Sequence, residues 1–192
     1  MIAILKYNAG NTRSVLNALN SLGYEACISD DPVQLQAADK VIFPGVGEAG
    51  TAMAYLKARQ LDQVIRALKQ PVLGICLGMQ LLCAHSEEGD TAGIGIFDNQ
   101  VKRFPPGLLV PHMGWNNLEN TSGALFKDLG QSADFYFVHT YYATQGVATV
   151  ATTDYILPFS AALQKDNFYA VQFHPEKSAQ TGLTLLENFL DL

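Results

Sequence analysis

Cysteine is scarce in this chain: three residues in 192, at positions 27, 76 and 83, too few for a paired disulfide framework. That excludes the disulfide-stapled secreted class and points to a reducing cytoplasmic compartment. Basic residues are few as well. Twelve Lys and Arg stand against eighteen Asp and Glu, a net charge of −6, which gives no general attraction to phosphate backbones or anionic lipid. No apolar run approaches the length of a bilayer span. Met1 leads directly into the strand-like Ile2-Ala3-Ile4-Leu5, without the basic segment and cleavable apolar run of a secretion signal. Neither a nucleic-acid nor a membrane partner is therefore expected. A phosphate-cradling Gly-x-x-x-x-Gly-Lys loop is missing, as are internal repeats and low-complexity tracts. The four histidines, 85, 112, 139 and 174, show no ligand spacing with the cysteines, so no metal and no organic cofactor is expected.

What is present is an ordinary apolar content, 48%, enough to build the core of a single domain over 1–192. The first half alternates strands and helices: strand over 2–7, helix over 12–22 stopped by Gly23, strand over 25–29, and a short helix opened by Asp31 and Pro32. A strand over 40–43 follows, then the loop Pro44-Gly45-Val46-Gly47 and helix over 49–69 with a break near Gln60. The pattern continues with strand over 71–75 and helix over 77–84. Such alternation predicts an α/β fold with a mostly parallel central sheet and helices on both faces. The second half adds strands over 93–97, 101–104, 134–144, 147–153, 160–164 and 168–173, some antiparallel, and a closing helix over 181–190. The chemistry of such sheets gathers at the carboxyl ends of the strands.

Gly74-Ile75-Cys76-Leu77-Gly78-Met79-Gln80 places one cysteine between an apolar strand and an apolar helix, with glycines two residues to either side. This is the sequence form of a nucleophile elbow with sulfur in place of a hydroxyl. The turn holds Cys76 in a strained conformation, and side chains at 74 or 78 would collide across the bend. At a helix N-terminus the thiolate is favoured, and the Leu77 N–H points toward developing negative charge. Cys83, seven residues on, reads as a small buried apolar residue on the same helical face.

A second constellation, Gln172-Phe173-His174-Pro175-Glu176, ends an apolar strand. In an extended segment His174 and Glu176 lie on one side, and Pro175 favours that conformation. A nucleophile needs a base, and the base needs an orienting group.

Cys76 in its elbow, joined to His174-Pro175-Glu176, resembles the class I, or triad, glutamine amidotransferases over nearly the whole chain. The resemblance implies hydrolysis of the L-glutamine carboxamide to glutamate and ammonia through a cysteinyl thioester. Cys76 attacks, His174 protonates the departing ammonia and then activates water, and Glu176 holds His174. An oxyanion hole would combine the Leu77 N–H with a donor from Gly45-Val46-Gly47. The Val46 N–H is expected to swing into place only when a partner is engaged, the flanking glycines easing the rotation. Gln80, one helical turn after Cys76, and Glu88 are implied as substrate ligands. The segment His139-Thr140-Tyr141, together with Gly45, is expected to hold the α-carboxylate and α-amino end.

Pro111-His112-Met113-Gly114-Trp115-Asn116, the stretch 137–141 and His174-Pro175-Glu176-Lys177-Ser178 resemble the branch of that family formed by glutaminase subunits of imidazole glycerol phosphate synthases, of histidine biosynthesis. Gly10-Asn11 and Arg13-Ser14-Val15 agree with its first loop and helix, with departures at Lys6, Asn8 and Thr12. The resemblance implies a partner, the cyclase subunit, a (β/α)8 barrel that receives ammonia through a channel and makes imidazole glycerol phosphate and the aminoimidazole carboxamide ribotide. Asn11, Trp115, Tyr136 and Lys177 are the expected docking residues. The competing readings are a glutaminase component of another synthase and a non-catalytic regulatory scaffold of the same fold.

Overall fold

The computed structural model describes residues 1–130 and 133–192. Strand β1 (Ile2–Leu5) sets the frame, because all four of its residues are buried. Ala3 and Leu5 enter one apolar core, and Ile2 and Ile4 enter another. A strand buried on both faces belongs inside a sheet covered from both sides. Helix α1 (Thr12–Ser21), β2 (Ala26–Ser29) and α2 (Pro32–Ala37) come next. As expected, Pro32 opens α2 and the Asp31 side chain accepts a hydrogen bond from Val33 N. Strand β3 (Lys40–Gly45) leads to α3 (Ala49–Ala58) and α4 (Leu61–Ala67), separated at Gln60, whose backbone is left-handed at φ 57°. Then come β4 (Val72–Cys76) and α5 (Leu77–Leu82).

The second half contains β5 (Cys83–Ser86), β6 (Thr91–Ala92), β7 (Phe97–Arg103), β8 (His112–Asn117), β9 (Asp134–His139) and β10 (Tyr141–Ala143). It continues through β11 (Thr149–Tyr155), β12 (Leu157–Lys165) and β13 (Phe168–Val171) to α6 (Ala179–Leu190). The main sheet runs β2-β1-β3-β4-β13-β12-β10-β7-β5-β6, with β11 on β12, while β8 and β9 form a separate ribbon. From β2 to β13 the neighbours are parallel. From β13 through β12 and β10 to β7 they are antiparallel. The α2, α3 and α4 side carries one core, and the α1, α6 and ribbon side carries the other.

Several local expectations are corrected by tertiary pairing. The elbow helix stops at Leu82 rather than 84, since Cys83 opens β5 and pairs with Phe97 on β7; Cys83 is buried but not on a helical face. Residues 93–96 form no strand. Their N–H groups satisfy the last carbonyls of α5 and the chain just beyond, with Ile94 N on Leu81 O and Ile96 N on Leu82 O. The single strand expected over 134–144 is broken at Thr140, where the chain leaves the ribbon and enters the main sheet. Residues 112–117, read only as a motif, form the other half of the ribbon. Leu157 to Pro158 lengthen β12 because they pair with Asp154 and Tyr155.

Candidate active site

The elbow is built at the carboxyl end of β4, with Gly45 of β3 directly opposite Cys76 in the register. Cys76 is buried at 7% exposure with φ 54° and ψ −109°, a conformation costing about 1–3 kcal/mol for a residue bearing a Cβ. The glycines answer packing needs rather broader than the bend. A Cβ on Gly74 would lie 2.8 Å from Leu82 Cδ1, across the elbow as expected. On Gly78 it would lie 1.9 Å from the carbonyl oxygen of Phe43, on the neighbouring strand. Gly45 is required on the same grounds: a Cβ there would stand 2.5 Å from Gly78 N.

Beside the thiol, His174 and Glu176 are almost wholly buried, and His174 Nδ1 lies 2.8 Å from Glu176 Oε1. The extended conformation expected of His174 holds, at φ −103° and ψ 94°, but the extension does not continue to Glu176: Pro175–Lys177 form a tight turn, and the carboxylate reaches His174 from that turn rather than along a strand. The turn is tied to β9. His174 N donates to Tyr136 O at 2.9 Å, and Ser178 Oγ donates to His174 O while accepting from Tyr136 N. His174 Nε2 is buried without a hydrogen bond. Burial disfavours its charged form, but Cys76 and Glu176 outweigh burial and lift its pKa to about 10.

A cavity of about 310 Å³ opens on Cys76, lined by Val46, Gly47, Leu77, Gln80, Glu88, Pro111, Val138, His139, Thr140 and Tyr141. Of the residues expected at the site, His174, Glu176 and Gly45 lie behind the wall rather than on it. Val46 is 40% exposed, its carbonyl accepts from Gly10 N at 3.1 Å, and Gly47 has φ +128°. Glu88 is half-buried and accepts from Ala49 N at 2.8 Å; burial and the nearby Glu48 raise its pKa against that bond. Its neighbour Glu87 is solvated and binds Arg103 N. The Gln80 amide nitrogen is engaged by Tyr141 O and Gln172 Oε1, each at 2.9 Å. Cys83, its thiol raised in pKa by burial, donates to Met79 O.

Three contributors to this geometry were not singled out by sequence reasoning. The Gln172 amide lies 3.6 Å from Cys76 Sγ, the Val138 carbonyl lies 3.9 Å from the same sulfur, and the buried Tyr7 hydroxyl donates to Pro44 O at 2.8 Å. A glutamine inside the apolar run 168–173 was the available signal for the first, since a buried amide must find partners. Of the four expected docking residues, Trp115 is 54% exposed, Lys177 is exposed, and Asn11 and Tyr136 are half-buried. Trp115 and Tyr136 face each other across the ribbon.

A cysteine on a strained strand-to-helix turn, a histidine braced by a carboxylate, and a pocket of amino-acid size together suit attack of sulfur on an unactivated carbonyl. The glutamine amidotransferase class-I family profile matches residues 3–192, and the chain belongs to that family. It is 59% identical over 194 residues to the imidazole glycerol phosphate synthase subunit HisH of Bacteroides thetaiotaomicron, covering 100% of this chain and 99% of that one. Its identity to the subunit of the same name from Escherichia coli K12 is 46% over 194 residues, with the same coverage. A crystal structure of a glutamine amidotransferase superposes with a TM-score of 0.72 at 22% identity, covering 99% of this chain and 97% of that chain. A glutamine amidotransferase from Thermotoga maritima does so at 0.63 and 19%, covering 99% and 82%.

Proposed function

We propose that this chain, as one domain over 1–192, is the glutaminase subunit of an imidazole glycerol phosphate synthase. The observation that carries the reading is Cys76 held at a strained elbow beside a histidine whose other ring nitrogen is paired with Glu176 at 2.8 Å. Glu176 accepts from His174 Nδ1–H and so leaves Nε2 for the thiol proton. Cys76 Sγ bonds to the carboxamide carbon of L-glutamine, and the developing oxyanion takes hydrogen bonds from the backbone of Leu77 and, after rotation, of Val46 or Gly47. His174 gives its proton to the leaving nitrogen, ammonia departs, and a thioester remains. Water, deprotonated by His174, then attacks the thioester carbon and releases glutamate and the thiol. Gln80, Glu88 and the stretch 139–141 hold the amino-acid end, Glu88 by its charge against the substrate ammonium. No metal or organic cofactor takes part.

Ammonia in water is protonated and lost to a synthase, so the product must pass directly to a partner. The partner is the cyclase subunit, a (β/α)8 barrel, and exposed apolar side chains available to it include Val46 at the cavity and Met113 and Trp115 on the ribbon. Asn11, Tyr136 and Lys177 complete the docking surface, and the complex works in the cytoplasm. The test is glutamate release from L-glutamine by the purified chain, alone and with the cyclase subunit and its nucleotide ligand, using Cys76→Ala as blank. Activation by the cyclase that vanishes in the variant is expected. Brisk turnover indifferent to the cyclase would overturn the partner and the Val46 rotation, and no Cys76-dependent glutamate at all would overturn the amidase.

A further inference from the structure

His112 is buried on β8, and its ring is sandwiched between Tyr155, at 4.0 Å and 17°, and Phe137, at 4.8 Å and 25°. Its Nδ1 lies 2.9 Å from His139 Nε2, and His139 Nδ1 lies 2.7 Å from the carbonyl oxygen of Tyr141. The carbonyl only accepts, so His139 must carry its proton on Nδ1. A neutral ring has one N–H, which makes His139 Nε2 an acceptor and obliges His112 to donate from Nδ1. His112 Nε2 is then the acceptor that Asn116 Nδ2 approaches at 3.4 Å. The order of protons is therefore fixed along the whole chain from Asn116 to Tyr141. Burial keeps both rings neutral, lowering His112 to about 4 and His139 to about 3.

The far end of this chain is the site itself. Tyr141 O also accepts from Gln80, Gln80 bonds to Gln172, and Gln172 approaches Cys76 Sγ. We infer that His112 is a positioning residue: by donating to His139 it holds the pocket wall 138–141 in register with Gln80 and Cys76, without touching substrate. The inference rests on the amidase reading above, in which that wall grips glutamine. At the break at Thr140, where the chain passes from the ribbon to the main sheet, Phe104 N donates to Thr140 O at 3.2 Å on the sheet side, and the His112–His139 contact holds the ribbon side.

Two substitutions separate positioning from packing. His112→Phe keeps a ring between Tyr155 and Phe137 and removes the donor. His112→Asn sets an amide nitrogen where Nδ1 was and removes the ring stack. The readout is labelling of Cys76 by the glutamine-mimicking diazo ketone 6-diazo-5-oxo-norleucine, resolved into an apparent affinity and a limiting rate, with thermal melting beside it. We expect His112→Phe to weaken the affinity tenfold or more while melting no lower than His112→Asn, and His112→Asn, which loses the ring stack, to bind within about threefold of the parent, the amide supplying one hydrogen bond of ordinary strength. Losses that track melting in both variants would overturn the inference, as would wild-type affinity in His112→Phe. Nitrogen chemical shifts of the unsubstituted protein give an independent check: Nδ1–H in both rings is required, and an Nε2–H tautomer at His139 would refute the chain. Failure of the unsubstituted protein to label saturably at Cys76, both alone and with the cyclase subunit bound, would instead overturn the amidase reading.

Discussion

Replacing Cys76 by glycine should make the protein more stable than replacing it by alanine, the reverse of the usual order. Both variants lose the thiol and its contacts, so the comparison isolates the backbone. At φ 54° and ψ −109° a residue with a Cβ carries about 1–3 kcal/mol of strain, which glycine relieves because it has no Cβ to collide with the chain. Against that, glycine costs about 0.5–1 kcal/mol more than alanine in conformational entropy on folding. The difference leaves glycine ahead by about 0 to 2.5 kcal/mol, and by about 1 kcal/mol at the centre of the ranges. For a chain of this size 1 kcal/mol corresponds to about 2–4 °C in melting temperature. Urea denaturation of the two inactive variants, fitted with a common slope, measures the difference directly. If Cys76→Gly is less stable than Cys76→Ala by the ordinary half to one kcal/mol, roughly what any relaxed position would give, the positive φ at Cys76 carries no strain and the reasoning is refuted.

Gly78→Ala should be far more damaging than Gly23→Ala, although the first lies inside helix α5 and the second in the turn after α1. The first drives a Cβ to 1.9 Å from the Phe43 carbonyl oxygen, while the second meets nothing within 4 Å and suffers only its φ of +83°. Losses above about 3 kcal/mol and of about 1–2 kcal/mol respectively are expected by denaturation. Stability should also depend on pH through His174. Its pKa is raised from 6.5 to about 10, so the stabilisation from its charged form is complete below the ordinary value and is lost as pH rises through about 10. Unfolding free energy should therefore fall across pH 6.5 to 10, and fall less in Cys76→Ala, where the main upward influence on His174 is gone; parallel profiles for the two proteins would contradict the coupling. Trp115→Ala, at a half-exposed site, should leave melting unchanged and weaken cyclase binding by about 30-fold, the effect of a 2 kcal/mol interface anchor, measured by titration calorimetry.

The site and the fold were legible in the sequence to different depths. The elbow could be read from seven residues because its requirement is local: a sharp turn needs small neighbours, and a cysteine between them has few other purposes. The parallel half of the sheet was equally visible, since a strand buried on both faces writes itself as an unbroken apolar run, as β1 and β4 do. Contacts between distant segments were not visible. That Gly78 exists for Phe43, that residues 93–96 close the end of α5 instead of forming a strand, and that Glu176 reaches His174 through a turn are decided by atoms far apart in the chain. His112 marks the limit most clearly. In sequence it is one letter of a motif, and only the pairing of β8 with β9 brings it to His139 and gives its proton a fixed direction. The sequence by itself determined which atoms can do chemistry, because reactivity belongs to side chains and their immediate neighbours. The tertiary structure decided where each atom points and what holds it there, because orientation is set by hydrogen bonds and packing that only the folded chain can make.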